Sequence, residues 1–296
     1  MPLPPSRTRG RDLRSWPGWC GRATQCAYEY VALWFGLGVL GVMSLGWSLL
    51  AIPLRDVLPR SLANPLGRWA ITVLCRTYLG ILGLVGACRF DLQALDALRG
   101  EPPLVIAPNH PGLLDALLVM SRLSDLACIM KVDIVDNVFL GASARLAGYI
   151  RNDAPLSMIR QAIGELKNGS HLLLFPEGTR TTRWPVNACT PVTALIAGRA
   201  RVPIQTVFIE SDSAFLGKGW PLWRRPTLPI TYRIRLAAVS RPRNRPVNSP
   251  RNWSVTSARS CAIAPCRLLP GSHDTASLDR YPSGADPQLR RRRPGL

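Results

Sequence analysis

The segment Asn109-His110-Pro111-Gly112-Leu113-Leu114-Asp115 sets an imidazole five positions before a carboxylate. On one regular helix, residues five apart point about 140° away from each other. The pair can therefore meet only if His110 lies in a loop and Asp115 in the first turns of the following helix. A carboxylate that accepts one ring N–H fixes the tautomer and raises the basicity of the other nitrogen. That nitrogen can take a proton from an alcohol as it attacks an acyl carbonyl, with no nucleophile supplied by the protein. Backbone N–H groups around Gly112 are candidates to hold the oxyanion. The bland alternative is a chance spacing in which Asn109 caps a helix.

A second constellation is Leu172-Leu173-Leu174-Phe175-Pro176-Glu177-Gly178-Thr179-Arg180. An apolar run enters a tight turn bearing Glu, Thr and Arg. Gly178 allows close approach of the backbone or a positive φ. Arg180 offers a planar fork suited to phosphate, and Glu177 can hold that fork or a substrate hydroxyl. The alternative is a solvated turn with a weak i,i+3 ion pair. A buried strand before the turn puts it at a sheet end, where ligand sites of α/β proteins form.

These residues need a scaffold, and the apolar pattern supplies one. Short apolar runs at 103–107, 126–130, 171–175 and 204–209 read as strands, and the alternating run 230–236 as an outer strand. Segments 112–123, 156–168 and 193–200 read as helices, with Gly169 a C-cap. Strands alternating with helices predict a three-layer α/β domain with a largely parallel central sheet.

Upstream, residues 31–52 run for 22 residues without a charge, enough at 1.5 Å per residue to reach roughly 33 Å, about one bilayer core. Four glycines and flanking Trp34 and Trp47 suit a membrane helix, and Pro53 is expected to end it. A second apolar stretch, 69–88, is interrupted by Arg76, which is costly in hydrocarbon, so this stretch is expected in the interface. The chain thus divides into a basic polar N-terminus (1–26), a two-helix membrane anchor (27–90), a catalytic domain (91–240) and a basic tail (241–296).

The formal charge of +19 and pI near 10.8 imply an anionic partner. The tail holds a net +8, from eleven Arg and three Asp. The remaining cations flank apolar stretches, and no nucleic-acid-binding signature is present, which favours a membrane surface over nucleic acid. The eight cysteines form no C-x-x-C pair and read as reduced thiols of a cytosol-facing protein. No metal-ligand cluster or nucleotide-binding glycine loop is evident. From about residue 241 periodicity vanishes and Lys is absent, as an out-of-frame reading of a GC-rich gene would look. The alternative is a natural lipid-touching tail.

Taken together, Asn109-His110-x4-Asp115 followed by Phe175-Pro176-Glu177-Gly178-Thr179-Arg180 resembles the lysophospholipid acyltransferase family, of the 1-acylglycerol-3-phosphate acyltransferase type. The resemblance is close over 104–210. It implies that His110 and Asp115 are the catalytic dyad and that Glu177, Gly178, Thr179 and Arg180 bind the glycerol phosphate of the acceptor. Lys131, Gly141, Gly148 and Arg151 resemble the block that helps bind that phosphate, and Val202-Pro203-Ile204 a late block that shapes the site. The implied reaction moves a fatty acyl group from acyl-CoA or acyl carrier protein to lysophosphatidic acid, giving phosphatidic acid. The thioester is a co-substrate, and no cofactor or metal is implied. The implied place is the cytoplasmic face of the inner (plasma) membrane. Departures are Gly112 where the family often has Ser, Asn137 where it has Pro, and Cys189–Thr193 without its aromatic, Lys and Gly. These leave open another acceptor, such as a lyso-ornithine lipid, or an inactive membrane-bound relative. His171 and His273 receive no role.

Overall fold

A computed structural model describes residues 18–241. The basic residues up to 17, the tail after Arg241 and His273 lie outside the described residues, as does the out-of-frame reading. Helices α1 (Gly18–Val57) and α2 (Arg60–Leu84) lead into β1 (Cys88–Asp91) and a 3₁₀ turn (Gln93–Leu98). Then follow β2 (Val105–Pro108), α3 (Asp115–Met120), β3 (Leu126–Met130), α4 (Val132–Val135), α5 (Gly141–Leu146) and β4 (Ile150–Arg151). The chain continues with α6 (Pro155–Lys167), β5 (His171–Leu173), α7 (Val192–Ala200), β6 (Ile204–Ser211) and β7 (Ile230–Ser240).

The seven strands form one sheet in the order β1-β7-β6-β2-β5-β3-β4, parallel throughout except for the antiparallel β6–β7 pair. Successive side chains of a strand face opposite sides, and here both sides are covered. Val105, Ala127 and Leu172 pack on Met158, Ala162 and Leu166 of α6 and Ile196 and Ala197 of α7. Ile106, Cys128 and Leu173 pack on the other face with Leu118 and Val119 of α3 and Leu79 and Leu82 of α2. That two-sided burial is why these strands read as unbroken apolar runs. It also pushes the Cys128 thiol up to about 12, so that it behaves as a small core hydrophobe.

The structure adds β1, β4, α4 and α5 to the elements read from the sequence, and it changes others. β7 is an inner strand, because the unforeseen β1 pairs along its other edge. It still alternates, with Ile230, Tyr232 and Ile234 buried. Helix α3 is short, since residues 110–114 are used in the turn before it. Helix α1 begins at Gly18 and runs through Pro53 for one further turn, with Pro53 contributing no backbone donor.

Of the described helices, α1 alone is long and apolar enough to cross a membrane. Yet it rests on the α/β domain near both ends. Tyr28 donates to the Val85 carbonyl (2.6 Å), and Ser48 to the Phe139 carbonyl (2.6 Å). Helix α2 is an outer layer of the domain. Gly67 lies so close to α5 that a Cβ there would stand 2.6 Å from the Ala147 nitrogen. Next to it, the buried Arg68 donates to the Ala147 carbonyl (3.0 Å), Ser170 (2.8 Å), Asp125 (3.2 Å) and Glu165 (2.6 Å). Arg76 donates to the Ser121 carbonyl (3.2 Å). Arg68 and Arg76 of α2 are thus structural ties between layers.

Arg68→Ala removes the hydrogen bonds to Ala147, Asp125, Ser170 and Glu165 and leaves the half-buried Glu165 without its cation. Breaking a buried pair from one side costs about 3–5 kcal/mol, so the thermal midpoint should fall by on the order of 10 °C. A midpoint within a degree or two of wild type would show that Arg68 is not such a tie.

Candidate active site

Strands β2, β5, β3 and β4 are parallel neighbours, so their C-terminal ends share one edge of the sheet. His110 follows β2, Glu177–Arg180 follows β5, Lys131 follows β3, and Arg151 ends β4. His110, Lys131, Arg151 and Glu177–Arg180 therefore lie at the edge where α/β sheets bind ligands. Val202-Pro203-Ile204, expected from the resemblance to shape the site, instead opens β6 at the opposite edge, where the Val105 N–H donates to the Pro203 carbonyl. His171 starts β5 at the opposite edge, where burial lowers its pKa.

His110 leaves β2 in a loop that turns back onto Asp115. Nδ1 of His110 lies 2.7 Å from Oδ2 of Asp115, and the N–H of Gly112 donates to the same oxygen at 2.7 Å. The Asp115 side chain is wholly buried and that of His110 is 19% exposed. Burial raises the Asp115 pKa, against the opposing pull of His110 and of the Gly112 N–H. The Gly112 N–H is thereby committed to the carboxylate and is not itself available to an oxyanion. With Nδ1–H donating to Asp115, Nε2 is the basic nitrogen. Phe175 stacks on the imidazole with ring centroids 4.1 Å apart.

The turn after β5 is wired into this loop. Glu177 is buried. One of its oxygens accepts from the His110 N–H (3.2 Å) and Thr181 Oγ1 (2.5 Å), and the other from the Asn187 N–H (3.0 Å). Thr181 also accepts from the His110 N–H (2.9 Å) and donates its own N–H to the His110 carbonyl (2.7 Å). Glu177, which the resemblance assigns to the acceptor, holds the backbone of the His110 loop within the chain. Gly178 adopts φ +65°, which favours glycine. Thr179 is half-buried beside it. Arg180 Nη1 donates to the carbonyls of Leu216 (2.9 Å) and Gly217 (2.8 Å). This fixes the guanidinium, and its Nη2 and Nε have no hydrogen-bond partner among the described residues.

The outer cations are arranged differently. Lys131 is exposed at the start of α4. Arg151 is held by Asp136 (3.0 Å) and Asp153 (2.8 Å). Asn109 caps no helix. Its amide accepts from the Ile209 N–H (2.7 Å) and donates to the carbonyls of Ile209 (3.2 Å) and Pro185 (3.1 Å), tying the loop to β6. In the stretch lacking the family's Lys, Thr190 donates through both N–H and Oγ1 to the Pro176 carbonyl.

An apolar cavity of about 270 Å³ opens beside the loop. Leu113, Leu114 and Leu117 line it from the His110 side, Leu33, Leu37 and Leu40 from α1. Its floor includes Tyr78, Leu82 and Ile230, and its far wall Phe215, Leu222 and Leu228. Among the described residues no group of three or more His, Cys, Asp or Glu side chains is placed to hold a metal ion.

Residues 89–210 match the family model described as Acyltransferase. A lyso-ornithine lipid O-acyltransferase of Rhodobacter capsulatus is 36% identical over 120 residues, 38% of this chain and 40% of that protein. The chain thus spans well under half the length of that relative. A 1-acyl-sn-glycerol-3-phosphate acyltransferase of Pseudomonas aeruginosa is 21% identical over 62% of this chain and 72% of its own. The solved 1-acyl-sn-glycerophosphate acyltransferase PlsC of Thermotoga maritima superposes with a TM-score of 0.59 at 17% identity, over 76% of this chain and 90% of its own, and so shares the fold.

Because burial raises the Asp115 pKa, this carboxyl ionises more readily in the unfolded chain, and its ionised form costs stability at neutral pH. Asp115→Asn removes that cost but lets the wrong His110 tautomer form. Turnover should drop on the order of 10³–10⁴ while the thermal midpoint at pH 7–8 holds or rises. A midpoint that falls together with activity would make Asp115 a structural residue instead.

Proposed function

We propose that the chain, whose residues 89–210 match the acyltransferase family model, transfers a fatty acyl group from acyl-CoA or acyl carrier protein to the free hydroxyl of lysophosphatidic acid, giving phosphatidic acid. The observation that carries this reading is the His110–Asp115 pair at 2.7 Å, set beside an apolar cavity lined by Leu113 and Leu114 from the same loop.

In this mechanism neutral His110 accepts the acceptor's hydroxyl proton at Nε2 while Nδ1–H donates to Asp115. The hydroxyl oxygen attacks the thioester carbonyl. The tetrahedral intermediate collapses, the C–S bond breaks, and the departing thiolate takes the proton back from imidazolium. Asp115 stabilises the imidazolium without itself being protonated. Glu177, through the backbone of His110, keeps the ring aimed, and Phe175 limits its rotation. The acyl chain occupies the apolar cavity. Arg180, anchored on one nitrogen by two carbonyls, presents the rest of its fork to the acceptor's phosphate, with Thr179 and the exposed Gly178 backbone beside it. Lys131 adds positive charge, and Arg151 contributes once its carboxylate partners yield.

The reading also places the enzyme on a membrane. Helix α1 is apolar all round, but only one stripe packs on the domain. Val31, Trp34, Phe35, Val42, Leu49 and Leu50 face outward, and Val138 to Leu140 are exposed beside the Ser48 contact. A helix buried on one face by its own domain and apolar on the other fits in-plane burial in the interface. In a cell with one bounding membrane, the reduced thiols and the thioester donor favour its cytoplasmic face.

A second acceptor follows from a specific observation. The relative matching at 36% identity is named for a lyso-ornithine lipid, and the Cys189–Thr193 stretch lacks the family's Lys. The chemistry at His110 would be unchanged.

Purified chain offered acyl-CoA with lysophosphatidic acid and, separately, lyso-ornithine lipid should acylate the first faster, read by mass spectrometry of the product. Arg180→Ala should raise the KM for the phosphorylated acceptor at least tenfold, with a smaller change in kcat. A rise confined to the KM for the thioester would assign the turn to the donor. Faster transfer to the lyso-ornithine lipid would select the second acceptor.

A further inference from the structure

The connection between β6 and β7, residues 212–229, holds Arg180 through the Leu216 and Gly217 carbonyls and walls part of the apolar cavity. Its remainder reads Lys218-Gly219-Trp220-Pro221-Leu222-Trp223-Arg224-Arg225-Pro226. Trp223 is 74% exposed and Leu222 49%. Lys218 and Arg224 are exposed with them, and residues 213–229 contain no Asp or Glu. An outward indole among cations is poorly matched to water alone and well matched to an anionic headgroup layer, where an aromatic ring sits at the polar boundary and cations meet lipid phosphates.

The turn has internal ties. Trp220 Nε1 donates to the Arg224 carbonyl (3.0 Å), the Arg224 guanidinium lies 4.7 Å over the Trp220 ring, and Phe215 meets Trp220 edge-on. These bonds leave Leu222 and Trp223 at the apex. The turn is also tied to α1. Arg225 pairs with the buried Glu29, which accepts the Leu228 N–H (3.3 Å), and sits 5.8 Å from the Tyr30 ring. Leu222, Pro226 and Leu228 line the same apolar cavity as Leu33, Leu37 and Leu40 of α1.

We propose that the 218–224 turn is a second lipid-contact element, seated in the anionic headgroup layer beside α1, and that it forms the lip over which an acyl chain passes from the bilayer into the cavity. Its use as a lip rests on the acyltransfer reading. Its contact with lipid stands on exposure, charge and its tie to α1.

The test is partition of the full chain onto phosphatidylcholine vesicles with and without phosphatidylglycerol. Trp223→Ser should weaken binding to both by about tenfold. The double variant Lys218→Glu, Arg224→Glu should weaken binding only where phosphatidylglycerol is present, with the difference fading as salt rises. Wild-type partition by both variants, with thermal midpoints unchanged, overturns the proposal. So does a Trp223→Ser chain that binds vesicles normally but loses self-association in light scattering, which would assign the turn to a second copy. Transfer by the wild-type chain to a short-chain, water-soluble acceptor reports on the acyltransfer reading separately, so either reading can fail alone.

Discussion

One buried carboxylate oxygen holds the reactive loop in shape. Oδ2 of Asp115 accepts from the Gly112 N–H and faces Nδ1 of His110, each at 2.7 Å. A charge with no exposed surface is expensive unless hydrogen-bonded, so the loop is compelled to wrap around it. The same wrapping fixes the tautomer of His110 and directs Nε2 outward. Burial raises the Asp115 pKa, the kind of shift that tuned acid–base sites commonly carry.

The other parts supply that loop with a fixed frame. Parallel strands bring the β2 and β5 ends side by side, and Glu177 spans the gap by accepting the His110 N–H. Asn109 secures the loop to β6. The β6–β7 connection holds Arg180 by two carbonyls and walls the cavity that α1 closes on the other side. Helix α2 is bound to the domain through Arg68, so α1, the cavity and the catalytic edge form one continuous construction. An apolar chain in the cavity and a charged head group at Arg180 would place the reacting centre between them, beside His110.

Much of this was legible in the sequence, for identifiable reasons. The strand at 126–130 was read at its observed bounds, and helices α6 and α7 within one residue, because two-sided burial leaves unbroken apolar runs and one-sided burial a helical period. The loop position of His110 followed from spacing alone. What was missed depended on long-range partners. β1 has four residues, and only β7, far along the chain, makes it a strand. Pro53 stops a helix by local rules, yet α1 continues where its last turns pack on α5. Glu177 looked like a ligand group because nothing in its motif announces the His110 and Asn187 N–H groups that occupy it. Thr181 adjoins the motif and could have been suspected. Asn187, whose Oδ1 accepts from the backbone of Thr182 and Arg183 at 3.1 Å, carries no sequence signal.

The central claim is that Nε2 of His110 removes the acceptor's proton as the hydroxyl attacks, without an acyl-enzyme. Single-turnover transfer from radiolabelled acyl-CoA, measured on wild type and His110→Ala, tests it most directly. The rate constant should fall on the order of 10²–10⁴ in the variant with an unchanged thermal midpoint, and no label should remain on the protein in either. A variant that turns over at the wild-type rate, or label trapped covalently on the chain, would contradict it.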